Sequence, residues 1–343
     1  MAALPPRSVG LVVIESSASA LLVLSAILGN SLLLVSLYRK PRLKSSTGIL
    51  IAALAVTDLL NACIPGALFW FSLVTGKMCF SNFGCQISGF FMHFLTYTSM
   101  ATMALTAINR YVCVLKTNVC KKAFSYHRSM LYIASLWAFV AVVVFLPIVS
   151  GSSAFAFNPV MAACAMKFTN TSAELGYTFF IVAFFGVWCL IIISVCYFCV
   201  LRFIRHHNVH TMSQLSIQEI NLTKALFVLV FTFAALWMPA FLMIVLFRLV
   251  LKAKLPRQFV LVVPYVINLS SALNPWIYGV MCPVVRNKMK KSLFAWKGCG
   301  STISGETVSV GPEIIVVRTL EATRPTSAIS STTHVSVLPN VSS

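Results

Sequence analysis

Seven long stretches of the chain, 16–38, 45–76, 78–109, 129–166, 175–201, 225–247 and 258–285, are almost free of charge. Asp58 is the only Asp, Glu, Lys or Arg inside any of them. An ionised side chain in hydrocarbon is expensive, and about 20 apolar residues in a helix cross a core of ~30 Å. Each stretch therefore reads as one crossing. Two of them, 78–109 and 129–166, exceed a single span and must include loop at an end. The strands of a membrane barrel alternate in polarity over ~10 residues, which these stretches do not. The expected fold class is an all-α membrane protein, a seven-transmembrane helix bundle with every backbone group satisfied inside its own helix.

Composition agrees. Of 343 residues 59% are apolar and 10% charged, against about 25% charged in a soluble domain, which excludes a water-soluble enzyme. A net charge of +19 raises nucleic acid as a partner. The distribution of the charge argues against it: 19 of the 26 Lys and Arg lie after the first, third, fifth and seventh stretches. The positive-inside bias then places the N-terminus outside and the C-terminus in the cytoplasm of a multi-pass protein. No basic leader precedes the first apolar run, so that helix is expected to act as its own signal-anchor. Eleven cysteines show no paired CxxC spacing, and no metal site is expected.

The expected organisation is a short extracellular N-terminus at 1–17, a seven-helix transmembrane domain at 18–283, an amphipathic cytoplasmic helix at 284–296, and a disordered tail at 297–343. In the helix at 284–296, Val285, Met289 and Leu293 form a stripe with Lys288, Lys290 and Lys291 off it, the pattern of a helix lying on the inner leaflet. Residues 298–343 carry 16 Ser and Thr with no helical period, a composition of disordered segments and a substrate for phosphorylation. Cys299 is a palmitoylation candidate, with an unmodified thiol as the alternative. Asn170 begins an Asn-Thr-Ser glycosylation acceptor on the outer side, whereas Asn221 and Asn340 fit the pattern but face the cytoplasm.

Polar residues inside the stretches carry the functional information, because each needs a partner in lipid. Asp58 lies mid-membrane in LAVTDLL, with Asn30, Ser99, Ser270, Ser271 and Asn274 at similar depth on other helices. Pro239 and Pro275 each remove a helical hydrogen bond and permit a kink. Cys85 and Arg110 are separated by about 37 Å of helix, so the third helix places one at each face. Cys85 can pair with Cys164 in the oxidising exterior, and Cys79 is a rival partner for either.

Taken together, GN at Asn30, LAxxD at Asp58, Cys85, Asn109-Arg110-Tyr111, Trp137, WxP at 237–239 and NPxxY at 274–278 resemble the rhodopsin-like G-protein-coupled receptors over roughly residues 18–296. The NRY sequence is also similar to that of melatonin receptors, although Pro275 departs from their usual alanine.

The resemblance implies a sodium or proton site at Asp58, Ser99, Ser271 and Asn274, with no other cofactor. The residues agree as far as they go: a lone carboxylate in low dielectric is either neutral or paired with a cation. Arg110 is implied to meet the G protein, flanked by Asn109 and Tyr111, with Tyr197, Pro275 and Tyr278 in the switch and Glu219 as the acid that Arg110 pairs with when closed. Glu219 as a solvated charge is the alternative. Asn109 replaces the usual acid and cannot form an ion pair. Cys189 replaces the usual proline of the fifth helix, which puts the helix's bulge in doubt. Implied partners are a heterotrimeric G protein, arrestin and receptor kinases acting on the phosphorylated tail, and membrane lipids.

The expected ligand contacts are Met92, His93, Thr96 and Tyr97 on the third helix, Phe185 on the fifth, Trp237, Ala240, Phe241 and Ile244 on the sixth, and Pro264 and Asn268 on the seventh. Met92 stands where aminergic relatives carry an aspartate, which argues against a biogenic amine. Asn268 stands where opsins carry the retinal lysine, and no Lys occurs between Lys254 and Lys288. The remaining lining suits a neutral or weakly polar extracellular ligand; a peptide or a lipid is the alternative, favoured by Arg248, Lys252, Lys254 and Arg257 before the seventh helix. A transporter or channel would carry more ionisable groups along a path, and a membrane enzyme would need a second acid or a nucleophile–base pair.

Overall fold

The computed structural model describes residues 3–38, 45–206, 217–247, 256–283, 285–287, 289–290, 308–310 and 313–315. The chain divides into two units, Met1–Leu293 and Phe294–Ser343.

The first unit is built from seven long helices. Among the described residues, six are long and apolar enough to cross a membrane: Val9–Tyr38, Ser46–Thr75, Tyr126–Val149, Thr171–Ile204, Thr223–Met243 and Arg257–Met281. Between the second and third of these runs another helix, Asn82–Leu115, of 34 residues. It packs against the second, fourth, fifth and sixth spanning helices and against a hairpin of Ser153–Asn158 and Ala163–Phe168. Its buried face accordingly carries Ser88, Thr96, Thr98, Thr102, Thr106, Asn109 and Arg110.

Helix starts follow the capping residues. Ser45 accepts from the Gly48 amide at 3.2 Å, Ser81 from Gly84 at 3.1 Å and Asn170 from Ala173 at 2.7 Å, each satisfying an amide that has no helical partner. The excess length of 129–166 is the hairpin, whose register pairs Phe157 with Cys164, so the fold is helical apart from this short sheet. A disulfide joins Cys85 to Cys164, with Cα atoms 5.5 Å apart; Cys79 remains a thiol beside Thr75. Cys85 and Arg110 mark the two opposite ends of the bundle.

Three features depart from the sequence reading. The first helix begins at Val9 rather than near 18 and takes Glu15 with it. Glu15 is tolerated because Arg7 and Arg257 both hold its carboxylate, at 2.9 and 2.8 Å, while Tyr265 donates to its carbonyl at 2.6 Å. The fifth helix keeps a π-helical segment, Val182–Trp188, ending just before Cys189, so the missing proline did not remove the bulge. The second helix has its own π segment, Ala62–Gly66, where Pro65 interrupts the α pattern. In addition, Cys113 and Cys120 form a second disulfide next to the Arg110 end, with Cα atoms 4.8 Å apart.

Close helix contacts depend on missing side chains at two places. A Cβ on Gly29 would sit 2.5 Å from Pro275 Cγ, and one on Gly66 2.5 Å from Asn268 Oδ1, so small residues let the first and second helices approach the seventh.

After the seventh helix, residues 285–287 and 289–290, which fall in the expected amphipathic segment, are helical; Leu293 and Cys299 lie outside the described residues. In the second unit, Val308–Val310 pairs with Glu313–Ile315 as an antiparallel hairpin, local order where the sequence reading expected none.

Candidate functional site

The polar residues converge on two cavities that share a wall. The deeper one surrounds Asp58, which is 2% exposed. Ser271 Oγ donates to Asp58 Oδ1 at 3.0 Å and Asn274 Nδ2 to Oδ2 at 2.5 Å. Asn61, one turn further along the second helix, donates to Ser271 Oγ at 3.4 Å. Asn30 ties the first helix in, donating to the Ala26 and Ser271 carbonyls at 2.9 and 3.0 Å.

Asp58, Asn61, Thr96, Ser99, Trp237 and Ser271 are among the residues lining a cavity of about 10 Å³, room for roughly one water-sized body. The buried Asn61 Oδ1 has no hydrogen-bond partner, an acceptor left open beside a carboxylate. Oxygen donors around a space of this size fit a small hard cation. Asn61 was missed in the sequence; its position three residues after Asp58, on the same helix face, was the available signal.

The larger cavity, about 290 Å³, opens toward the Cys85 end. Met92, His93, Thr96, Tyr97, Trp237 and Phe241 all line it. His93 Nδ1 contacts the Gly89 carbonyl at 2.8 Å, so Nδ1 carries the hydrogen there. Four expected contacts fall elsewhere. Phe185 is fully buried behind the wall and stacks on Tyr97 at 5.0 Å between centroids; it supports the cavity rather than facing it. Asn268 donates to the Pro264 carbonyl at 2.8 Å and packs against the second helix at Gly66, because the bulge there brings that backbone close. Ala240 and Pro264 are buried and not among the lining residues. The side chain of Ile244 lies outside the described residues.

The sequence reading missed Asn158, Met161 and Met166 from the hairpin and Glu174, Tyr177 and Thr178 from the start of the fifth helix, all of which line this cavity. No periodicity reveals them, since the hairpin is placed by the Cys85–Cys164 bond and by Gln86, which donates to the Phe155 carbonyl at 2.6 Å.

Trp237 and Thr96 line both cavities. Phe233 and Phe241 stack on either side of Trp237, at 5.7 and 5.5 Å between centroids. The tryptophan is thus the partition, two residues before Pro239 of its own helix.

At the other end, Arg110 is 2% exposed and Tyr197 and Tyr278 are 2% and 1% exposed. Asn109 does not reach toward Arg110. It accepts from Thr47 Oγ1 at 2.8 Å and donates to Ser46 Oγ at 3.1 Å, so the amide binds the third helix to the first turn of the second. Tyr111 is half-buried, and the side chain of Glu219 lies outside the described residues. Asn170 is exposed and uses Oδ1 as a helix cap, leaving the glycosylation atom, Nδ2, out of the cap.

Residues 29–278 match the model of the 7 transmembrane receptor (rhodopsin family). Melatonin receptor type 1A of Ovis aries is 26% identical over 272 residues, 77% of this chain and 73% of that one. Melanopsin-B of Xenopus laevis is 26% identical over 280 residues, 78% of this chain and 52% of that one. Among solved structures, squid rhodopsin superposes with a TM-score of 0.68 over 88% of this chain and 90% of its own at 20% identity, a likeness of fold. With its motifs, its seven helices and a family match over most of its length, this chain belongs to the rhodopsin family of seven-transmembrane receptors and is a membrane receptor rather than an enzyme.

Proposed function

We propose that the chain is a plasma-membrane receptor that takes a small extracellular ligand in the cavity at the Cys85 end and activates a heterotrimeric G protein at the Arg110 end. The observation that carries this is the shared wall: Trp237 and Thr96 each face the larger cavity and the Asp58 cavity. A ligand that presses on Trp237 acts on the kinked sixth helix and, through the polar cluster, on the second and seventh. Arg110, Tyr197 and Tyr278 are buried together in a closed end, so a partner reaches Arg110 only after that end opens. Ligand binding shifts the closed–open equilibrium by its difference in affinity for the two states.

The polar cluster gives that equilibrium a second input. Sodium held by Asp58 with Ser99, Ser271 and Asn61 would favour the arrangement in which these helices are drawn together, and its loss would favour opening. Melatonin receptors among the relatives, and a cavity near the small-molecule range, support a small ligand over a peptide. The charge bias supports an extracellular N-terminus, and the Ser/Thr-rich tail supports receptor kinases and arrestin as later partners, with the basic segment after the seventh helix on membrane lipid.

The test is nucleotide exchange in membranes holding the full chain and one G-protein subtype at a time, with a screen of indoles, lipids and short peptides. Exchange driven by a small compound, lost in Arg110→Ala while surface expression stays intact, is the expected result. Full exchange in Arg110→Ala would end the reading.

A further inference from the structure

We propose that the groove between the first and seventh helices at the Cys85 end binds a single-chain lipid with an acidic head, the head against Arg257 and Gln258 and the chain along Leu261 and Val262 toward the bilayer. This site is separate from the larger cavity and does not depend on what that cavity holds.

The groove has a volume of about 170 Å³ and is walled by Leu11 and Glu15 on the first helix and by Arg257, Gln258, Leu261 and Val262 on the seventh. Leu11 and Val262 are 39% and 45% exposed, and both belong to spanning helices, so the apolar rim opens sideways into lipid. The same end of the seventh helix turns Phe259, Val260 and Val263 to the larger cavity, which puts the helix between the two spaces. A site that encloses a drug-sized ligand has roughly 300–1,000 Å³. The groove is smaller, sized for a head and the near part of a chain whose remainder stays in the bilayer.

The charges at its polar end do not balance. Arg257 directs both terminal nitrogens at Glu15, at 2.8 and 3.0 Å, and Arg7 adds a bond at 2.9 Å. One carboxylate thus serves two guanidinium groups, and the trio keeps a positive charge in excess. Glu15 also lines the groove, but its two oxygens already accept from three N–H donors. Arg257 Nε is buried with no hydrogen-bond partner, so the pairing leaves that guanidinium short of an acceptor. A desolvated charge without a counter-ion is costly, and an acidic head arriving from the lipid side supplies one. Gln258, exposed beside Arg257, has an amide N–H to donate to the same head. The sequence adds to the bias: of its seven Asp and Glu, the loop order assigns only Glu15 and Glu174 to the Cys85 end, against 7 of the 26 Lys and Arg. A zwitterionic head would bring a further cation to a place that already has one too many.

The experiment uses the full chain in phosphatidylcholine nanodiscs and a lysophosphatidate probe with a photoreactive diazirine on its acyl chain, the labelled residues being mapped on peptides. Labelling should concentrate on the two walls of the groove, around Leu11 and Val262. Oleoyl lysophosphatidate should compete at about tenfold lower concentration than monooleoylglycerol, which has the same chain without the phosphate. Glycerol 3-phosphate, the head without the chain, should not compete. Gln258→Glu, at an exposed position, should bring the two lipids to equal potency by giving Arg257 an acid of its own. Val262→Trp, which fills the apolar wall and touches no charge, should cut labelling of the groove. Labelling spread evenly over the lipid-facing helices or centred on the larger cavity, competition by glycerol 3-phosphate alone, equal potency of the two lipids in the wild-type protein, or a phosphate preference that survives Gln258→Glu would each overturn the proposal. Nucleotide exchange plays no part in this readout, so the receptor reading stands or falls separately.

Discussion

Thr47 Oγ1 donates to Asn109 Oδ1 across 2.8 Å, binding the inner turn of the third helix to the first turn of the second. The neighbouring Ser46 accepts from the same amide, so one side chain satisfies two hydroxyls in a buried seam. The family's usual acid could accept from both hydroxyls and also attract Arg110, whereas the amide makes the seam without the ion pair.

Asn109→Ala should therefore leave two buried hydroxyls short of a partner, at about 1–3 kcal/mol, and lower the melting temperature of the purified receptor. Asn109→Asp should restore attraction to Arg110 and reduce basal nucleotide exchange. Basal exchange that rises in Asn109→Asp would show that the carboxylate does not restrain Arg110.

The Asp58 cluster predicts a salt effect. In Asp58→Asn the carboxylate that attracts the cation is gone while the hydrogen bonds of Ser271 and Asn274 keep an oxygen to meet. Ligand affinity measured in sodium and in a large organic cation should differ in the wild-type receptor and coincide in the variant. A variant that keeps the sodium dependence would remove Asp58 from that role.

Glu15 is held between Arg7 and Arg257, with side chains 8%, 4% and 18% exposed. Taking away the carboxylate leaves a buried Arg7 guanidinium and a partly exposed Arg257 guanidinium without a counter-charge, at a cost below the ~3–5 kcal/mol of a fully buried pair. Glu15→Gln should lower thermal stability markedly, and Arg7→Met combined with Glu15→Leu should recover part of the loss. Equal stability of Glu15→Gln and wild type would mean that the cluster is solvated.

Cys113 and Cys120 are bonded at the end that the charge bias puts in the cytoplasm, where thiols are kept reduced. The bond should therefore open in the cell: alkylation of intact cells before lysis, followed by peptide mapping, should find both cysteines blocked as thiols, whereas the receptor purified without reductant should yield the bonded pair. Recovery of a bonded pair from intact cells would place that segment in an oxidising compartment.

The spans were legible because lipid imposes one rule on every residue facing it, and Asp58, Asn274 and Arg110 stood out against that background. Glu174 and Tyr177 were not legible as cavity residues. They sit at the start of the fifth helix, where a solvated charge looks the same as a lining one, and only the hairpin laid over the bundle decides between the two. Phe185 and Asn268 were misread for a related cause. Both lie at the right depth, yet the π segments at Val182–Trp188 and Ala62–Gly66 alter which face meets which neighbour.

The π turn at Ala62–Gly66 has a further effect on how relatives are compared. Such a turn consumes one residue more than an α turn, so everything beyond Gly66 is rotated by about 100° from where an uninterrupted spiral would point it. An ideal α-helical projection carried straight through from Asp58 to Phe69 points each later position of that helix at the wrong neighbour, and any mutation chosen from such a projection will probe lipid where the core was intended.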